Sequence, residues 1–417
     1  MNKLSTSISI IALAAAGALP TLTQTAAAQK IEEIQVTGSY IRQNDTYSAP
    51  VPTTTLDRGE IEKTGAVDLT DLVRNLPINA GSQTQSVVTN QLRSAGTAQF
   101  NIRGLGLGAT LTLVNGKRNV LSPRAADDGS QFVDINLLPL NMVERIEIVK
   151  DGSSALYGSD AVAGVVNLIT RNNFEGFEIG GSYQTTTKSS QQDINLNGGY
   201  GYQNDDTSFV LFASHFERTD LPSRARPEIT ANTFARPLSK SGTWIVPALG
   251  GPVRDPSCGA VPNTQPIPPF LCLSDISNDL TIVPDENRTA VFTRIEHQLA
   301  DRLTLNAEFN YGRTRTDWKA MRSFVATKNG FVVPADHPNN PFTDGGGNPV
   351  PAISFLWAPV SQLEYAPLGV DYDDFRKTDQ YGSEVYRGAV SGTYDIGQDW
   401  YFDFGGVFSE SKGFFST

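Results

Sequence analysis

The chain has 417 residues, a formal net charge of −11, 39% hydrophobic residues and 18% charged ones. At roughly 150 residues per domain, that length suits two or three domains. The balance is too apolar for a disordered chain, and glycine without a Gly-X-Y period excludes collagen. An acidic chain with no Lys/Arg cluster argues against nucleic acid as a partner. Two cysteines exclude a disulfide-dense scaffold and a Cys-rich metal site.

Lys3 is followed by the apolar run Ile8 to Leu19 and then by Ala26-Ala27-Ala28. Charge, apolar core and small residues in that order predict a secretory signal peptide over residues 1–28, cleaved after Ala28. Its loss removes one charged residue, Lys3, and takes the net charge from −11 to −12. The run is twelve residues long, too short to span a bilayer as a helix, and no other segment approaches it. A membrane role would therefore require a β-barrel.

Between Thr53 and Asn172 the chain mixes helical and strand patterns. Ile61, Val67, Leu69, Leu72, Val73 and Leu76 place one apolar stripe on a helix over Glu60 to Leu76, stopped by Pro77. Phe100 to Arg103 and Thr110 to Val114 read as strands around Gly104-Leu105-Gly106-Leu107-Gly108. Asn115-Gly116 is a tight-turn dipeptide. Val143 to Lys150 reads as a further strand, and Val162 to Thr170 has the composition of one buried on both faces.

After Phe174 the period becomes two. Phe177, Ile179 and Tyr183 alternate with Glu178, Gly180 and Ser182. The same alternation marks strands from Ile194 to Tyr202, Leu303 to Tyr311, Tyr386 to Ile396 and Trp400 to Phe408. Thr207 to Thr219 and Arg288 to Leu299 are less regular but strand-like, which makes seven. One apolar face and one polar face suit an outer-membrane barrel strand or a soluble sandwich. Alternation alone does not separate the two. The connections favour the barrel. Gln203 to Asp206, Ala300 to Arg302 and Gly397 to Asp399 are short, and they alternate with Thr186 to Gln191, Asp220 to Glu286 and Lys319 to Gln380, two of which are very long.

Several blocks resemble the TonB-dependent outer-membrane receptors. Val143-Glu144-Arg145-Ile146-Glu147-Ile148-Val149-Lys150-Asp151-Gly152, continuing through Ser153 to Thr170, is similar to the family's plug. So are Leu72 to Pro77, Asn101-Ile102-Arg103-Gly104 and Leu113 to Arg118, in family order. Glu33, Ile34, Gln35, Val36 and Thr37 resemble the family's TonB box; alone, they would read equally as a disordered leader. The resemblance runs from the mature N-terminus to about Arg171, and the remainder matches in pattern only.

The resemblance implies a mainly β fold: an α+β plug domain followed by antiparallel transmembrane β-barrel strands, with the barrel incomplete in this chain. The expected divisions are 1–28 signal peptide, 29–52 TonB-box segment and linker, 53–172 plug and 173–417 partial barrel. The implied location is the cell outer membrane. The implied partners are the energy-transducing protein TonB, outer-membrane lipid, and a siderophore–iron complex or an oligosaccharide. The implied activity is energised uptake of a bulky ligand. A surface receptor without transport, or a remnant retaining only the plug, is the alternative, and a soluble periplasmic binding module is a third reading.

The glycine run Gly104, Leu105, Gly106, Leu107, Gly108 lacks the spacing of a phosphate loop. It is either a plug apex facing ligand or a plain structural turn. Arg103 and Arg145 are candidates to pair with barrel-wall carboxylates; a solvated face is the other reading. Cys258 and Cys272 have thirteen residues between them. Export to an oxidising compartment favours a disulfide, which would contribute about 3 kcal/mol in the chain-entropy model; two separate thiols are the alternative. His215, His297 and His337 lack ligand spacing, no nucleophile elbow is present, and neither enzyme chemistry nor a cofactor is expected.

Seven strands is an odd number, whereas single-chain bacterial barrels have an even one. Residues 174–417 number 244. Barrels of about 22 strands at about 35 residues each would need roughly 770 residues, and a complete receptor about 900 to 950. The end, Gly413-Phe414-Phe415-Ser416-Thr417, also lacks the family's terminal aromatic. The expectation is thus an N-terminal fragment with a plug and an open sheet.

Overall fold

A computed structural model of the chain describes residues 53–416 apart from 83–93, 95, 127, 151–152, 188, 190, 223–224, 231–234, 237–242, 257, 261–263, 270, 276–280, 320–324, 327–331, 339, 358–377 and 398–399. The expected signal peptide and TonB box, including Glu33, Ile34, Gln35, Val36 and Thr37, lie outside the described residues.

The first region begins with strand β1 (Thr53–Asp57), which runs directly into helix α1 (Arg58–Lys63). Asp57 accepts from the Glu60 backbone N–H at 2.7 Å, and the Glu60 carboxylate accepts from the Asp57 N–H at 3.1 Å. This reciprocal capping box fixes where the helix starts. Helix α2 (Leu69–Arg74) starts the same way, with Asp68 accepting from the Asp71 N–H at 2.8 Å. The single helix expected over Glu60 to Leu76 is therefore two. Gly65 lies between them at φ +68°, a left-handed conformation that ends the first helix. The apolar stripe survives the break, because Ile61, Leu69, Leu72 and Val73 are all buried in one core.

Strands β2 (Thr110–Val114) and β3 (Lys117–Arg118) form a hairpin through Asn115 and Gly116, whose φ values of 50° and 73° suit its two-residue turn. Strands β4 (Val143–Val149) and β5 (Gly164–Thr170) complete a five-stranded sheet in the order β1-β4-β5-β2-β3. β2 and β5 are parallel and the other pairs antiparallel. Val166 and Leu168 pack into the main core while Val165 packs on the opposite side. β5 is thus covered on both faces, as its unbroken apolar run implies. Phe100 to Arg103 does not form the expected strand. It contributes one isolated bridge, Asn79 to Ile102, because Arg103 at φ 56° turns the backbone away.

The second region is one antiparallel sheet of seven strands: β6 (Gly176–Thr185), β7 (Gln192–Gln203), β8 (Thr207–Arg218), β9 (Asp285–Ala300), β10 (Leu303–Lys319), β11 (Thr378–Gly397) and β12 (Trp400–Ser416). Each strand pairs with its neighbours in sequence, so the order is that of a simple meander. All seven expected strands are present. Short connections lie at one end and the long ones at the other.

Period-two alternation sorts the side chains. Phe177, Ile179, Leu196, Leu211, Ile295, Phe309, Val390 and Phe402 point outward and are exposed. Val210, Phe212, Ala290, Phe292, Val385 and Ala389 point inward and are buried. The outward apolar band on β10 runs from Leu303 to Tyr311, about 26 Å at ~3.3 Å per residue. Beyond it, the outward positions become Arg313 and Arg315, with Glu384 and Lys412 on neighbouring strands. The Tyr311 and Tyr386 rings lie 5.1 Å apart at this boundary, and both hydroxyls donate to Glu384.

The two long connections are not independent. Thr243–Val246, from the β8–β9 connection, pairs antiparallel with Ala352–Trp357, from the β10–β11 connection. Trp244 and Phe342 meet at 5.8 Å over a small core that includes Val246, Val350 and Ala352. Cys258, in the first connection, is disulfide-bonded. Cys272 stands on the nearby strand Leu271–Asp275, with its side chain outside the described part.

Candidate functional site

The five-stranded region lies against the inward face of the seven-stranded sheet, and the seam between them joins charged and amide side chains. Its polar contacts include three groups, and Val210, Phe212 and Phe292 of the wall join the plug core beside them. The first centres on Glu308 of β10, whose side chain is 1% exposed. Its carboxylate accepts from Lys117 Nζ at 3.1 Å, Asn115 Nδ2 at 3.0 Å and Arg387 Nη1 at 3.1 Å. Arg387, on β11, also donates from Nε to the Arg118 carbonyl at 3.2 Å. The β2–β3 turn is therefore gripped by two adjacent wall strands. A buried carboxylate with three donors is satisfied, and its removal would leave Arg387 buried without its partner.

The second group lies at Asp68, the cap of α2. Arg288 of β9 donates to it at 2.6 Å. On the wall, Arg288 also sits 3.0 Å from Glu286 and 4.0 Å from the centre of the Phe216 ring. Burial pushes the Asp68 carboxyl up, but the Arg288 charge and the Asp71 N–H pull harder, so it ends below the usual range. The third group is a pair of reciprocal amide bridges. Asn141 Nδ2 donates to the Gly198 carbonyl of β7 at 2.9 Å, and Asn195 Nδ2 of β7 donates back to the Val67 carbonyl at 2.8 Å.

Asp134 lies behind this seam and is 3% exposed. It accepts from the Ala98 N–H at 3.0 Å and the Asn136 N–H at 3.1 Å. Burial pushes its carboxyl up to about 6, against the pull of Arg124 and those two amides. Arg124 itself reaches the wall, donating from Nε to Ser383 Oγ of β11 at 3.1 Å.

The expected anchors Arg103 and Arg145 make their contacts away from the seam. Arg103 donates to the Ala163 carbonyl at 3.0 Å and Arg145 pairs with Glu147 at 2.8 Å, both inside the first region. Sequence reasoning missed Asp68, Asn115, Lys117, Arg288, Glu308 and Arg387. A usable signal was present: Arg288, Glu308 and Arg387 sit mid-strand at inward positions, the same parity as Phe292 and Ala389.

In the glycine run, Leu105 is 57% exposed, whereas Leu107 is 4% exposed and packs with Ala126 and Phe132. Gly104 and Gly106 have positive φ, and the Gly106 N–H donates to Asn101 Oδ1 at 3.0 Å. His215 and His297 hydrogen-bond to Thr289 and Thr207. Among the described residues no group of three His, Cys, Asp or Glu side chains could hold a metal ion.

The family model of the TonB-dependent Receptor Plug Domain matches residues 45–165, which include the whole segment from β1 to the start of β5. Residues 45–165 are therefore similar to the plug of TonB-dependent receptors. The proteins the chain resembles are an outer membrane virulence protein, a transporter and a receptor. The chain is 34% identical over 130 residues to an iron-regulated outer membrane virulence protein of Vibrio cholerae serotype O1, a match covering 30% of this chain and 18% of the relative. Among solved structures, the unliganded ferric citrate transporter FecA gives a TM-score of 0.50 at 14% identity, over 87% of this chain and 40% of FecA. A ferric enterobactin receptor from Pseudomonas aeruginosa gives 0.47 at 18% identity, over 88% of this chain and 41% of that one. The FecA likeness supports the fold: a plug domain followed by antiparallel strands. The chain spans less than half the length of the relatives it matches.

Proposed function

We propose that this receptor takes up a ferric siderophore across the outer membrane in a step energised through TonB. The observation that carries the reading is the seam. The plug is held to the inward wall by localised polar contacts at Glu308, Asp68 and the two asparagines. Such contacts can exchange with water as the plug shifts, whereas the wall's Val210, Phe212 and Phe292 would have to part from the plug core. The nature of the relatives points to iron: one is iron-regulated and another transports ferric citrate.

In this reading residues 53–172 are the plug and 173–417 the barrel part. The outward band through Phe309 and Val390 faces lipid. Glu33, Ile34, Gln35, Val36 and Thr37 form the TonB box, which pairs its main chain with an exposed sheet edge of TonB. The run Gly104, Leu105, Gly106, Leu107, Gly108 presents Leu105 on the plug surface as the ligand-facing apex. Cys258 pairs with Cys272 and stiffens the first long loop.

The test is uptake of radiolabelled iron as its siderophore chelate by cells carrying the complete receptor, with and without residues Glu32 to Gly38. Expected is iron-repressed expression, and uptake that the deletion abolishes. Expression induced by a glycan instead would move the substrate to oligosaccharides. Uptake that survives the deletion would remove the TonB step.

A further inference from the structure

A cavity of about 210 Å³ lies in the seam between α1, α2 and the β6–β8 part of the wall. Its lining is mixed: Asp68 and Asn141 from the plug stand beside Leu69 and Leu140, and the wall contributes Asn195 and Ser214. Asn141 is 7% exposed and Asn195 5%, and the carbonyl oxygen of each has no hydrogen-bond partner among the described residues. These are the two asparagines whose amide nitrogens bridge the seam. Each has spent its donor on the opposite side and left an acceptor beside the cavity. A buried amide oxygen without a partner is costly, so the site favours a hydrogen-bond donor: water, or a hydroxylated solute.

Ile61, Leu69, Leu72 and Val73 root the plug side of this cavity in the plug core, so the joint that can part here is the one to the wall. β1 is an edge strand, paired with β4 alone, and α1 and α2 are six residues each. This segment is tied to the wall at the cavity by Asp68 to Arg288 and by the Val67 carbonyl to Asn195. Separation would not strand Arg288, which keeps Glu286 and the Phe216 ring on the wall side. Asp68 would leave with its helix.

We propose that the cavity is a closed section of a path through the seam, and that the Asp68–Arg288 ion pair is the latch that closes it. The proposal rests on the transport reading and deepens it. It assigns the first opening to the α1–α2 side, along β6–β8, while the Glu308 contacts keep the β2–β3 turn in place. The solute it suits is a hydrogen-bond donor, because the Asn141 and Asn195 oxygens face the cavity from opposite sides.

The test uses the complete receptor in whole cells lacking TonB, without ligand, so its outcome is independent of the uptake experiment. Ser214→Cys places a thiol on the cavity wall and Ser383→Cys places one at the Arg124 contact. Both report through the rate of reaction with a membrane-impermeant hydrophilic maleimide, with the unsubstituted protein as blank. Asp68→Asn keeps an N-cap side chain and removes the charge. It is expected to speed labelling at Cys in place of Ser214 by about tenfold and leave the Ser383 position unchanged. Asp68→Glu, which keeps the charge, is expected to stay slow. Arg288→Gln breaks the same pair from the wall and should give the same rise, so a folding failure of one variant leaves the other as the test. Unchanged labelling at position 214 overturns the latch. An equal rise at position 383 also overturns it, because the whole plug would then have loosened.

Discussion

The two regions solve the same problem of apolar residues in opposite directions. The plug gathers Leu72, Ile146, Val166 and Met142 into a closed core and presents polar groups at its surface. The seven-stranded sheet turns Phe177, Ile179, Phe309 and Val390 outward and keeps Arg387, Glu308 and Asn310 inside. Where they touch, the plug's polar surface meets the sheet's polar face, apart from Val210, Phe212 and Phe292, which join the plug core. The difference teaches that solvent identity, not residue type, decides which side of a β-strand is the inside.

The largest effect should come from breaking the seam at its most buried charge. Glu308→Ala leaves Arg387, which is 1% exposed, without its carboxylate, and is expected to destabilise the docked plug by about 3–5 kcal/mol. Denaturant unfolding that shows no loss would mean the plug and the wall are energetically independent. Val390→Arg tests the outward face, where Val390 is 59% exposed. In a bilayer it is expected to cost about 2–4 kcal/mol. A neutral result in lipid vesicles would mean this face meets water, and the contrast between the two regions would fail.

Asp134 sharpens the comparison from the plug side. Its folded carboxyl titrates near 6, above its ordinary value of 3.8. The folded protein therefore holds the proton more tightly than the unfolded chain. The contribution of this carboxyl to stability is greatest below pH 4 and is lost as pH rises through about 6, about 3 kcal/mol in all. Asp134→Asn is expected to flatten that slope between pH 4 and 6 in thermal unfolding. A slope that persists would place its origin in another group. The smallest effect is expected at Asp57, where Asp57→Ala removes the α1 capping box and about 1 kcal/mol. Hydrogen exchange should show it confined to residues 53–63, with the sheet unaffected.

Much of this fold is legible in the sequence because its two periods are. The alternation Leu303, Leu305, Ala307, Phe309 fixes which side of β10 is apolar, and Asn115-Gly116 fixes a turn. The seam is less legible. Asp68 and Arg288 are 220 positions apart, and Lys117 and Glu308 are 191 apart, so no local pattern links them. Arg103 and Arg145 looked like anchors because they are charged residues in a conserved-looking plug grammar. Their partners instead lie within the plug, since Arg145 and Glu147 share one face of β4 two residues apart. The break between α1 and α2 was hidden for a different reason. A glycine inside a helical stripe leaves the apolar spacing intact while ending the hydrogen-bond ladder.

The pairing of Thr243–Val246 with Ala352–Trp357 has a consequence for how these loops can vary. Each strand supplies main-chain partners that the other needs, and Trp244 and Phe342 share one core. A loop exchanged alone would leave the remaining strand with an open edge and half a core. The two segments are therefore constrained as one inherited unit: grafting both loops together should carry a working surface to a new receptor, and grafting either one should not.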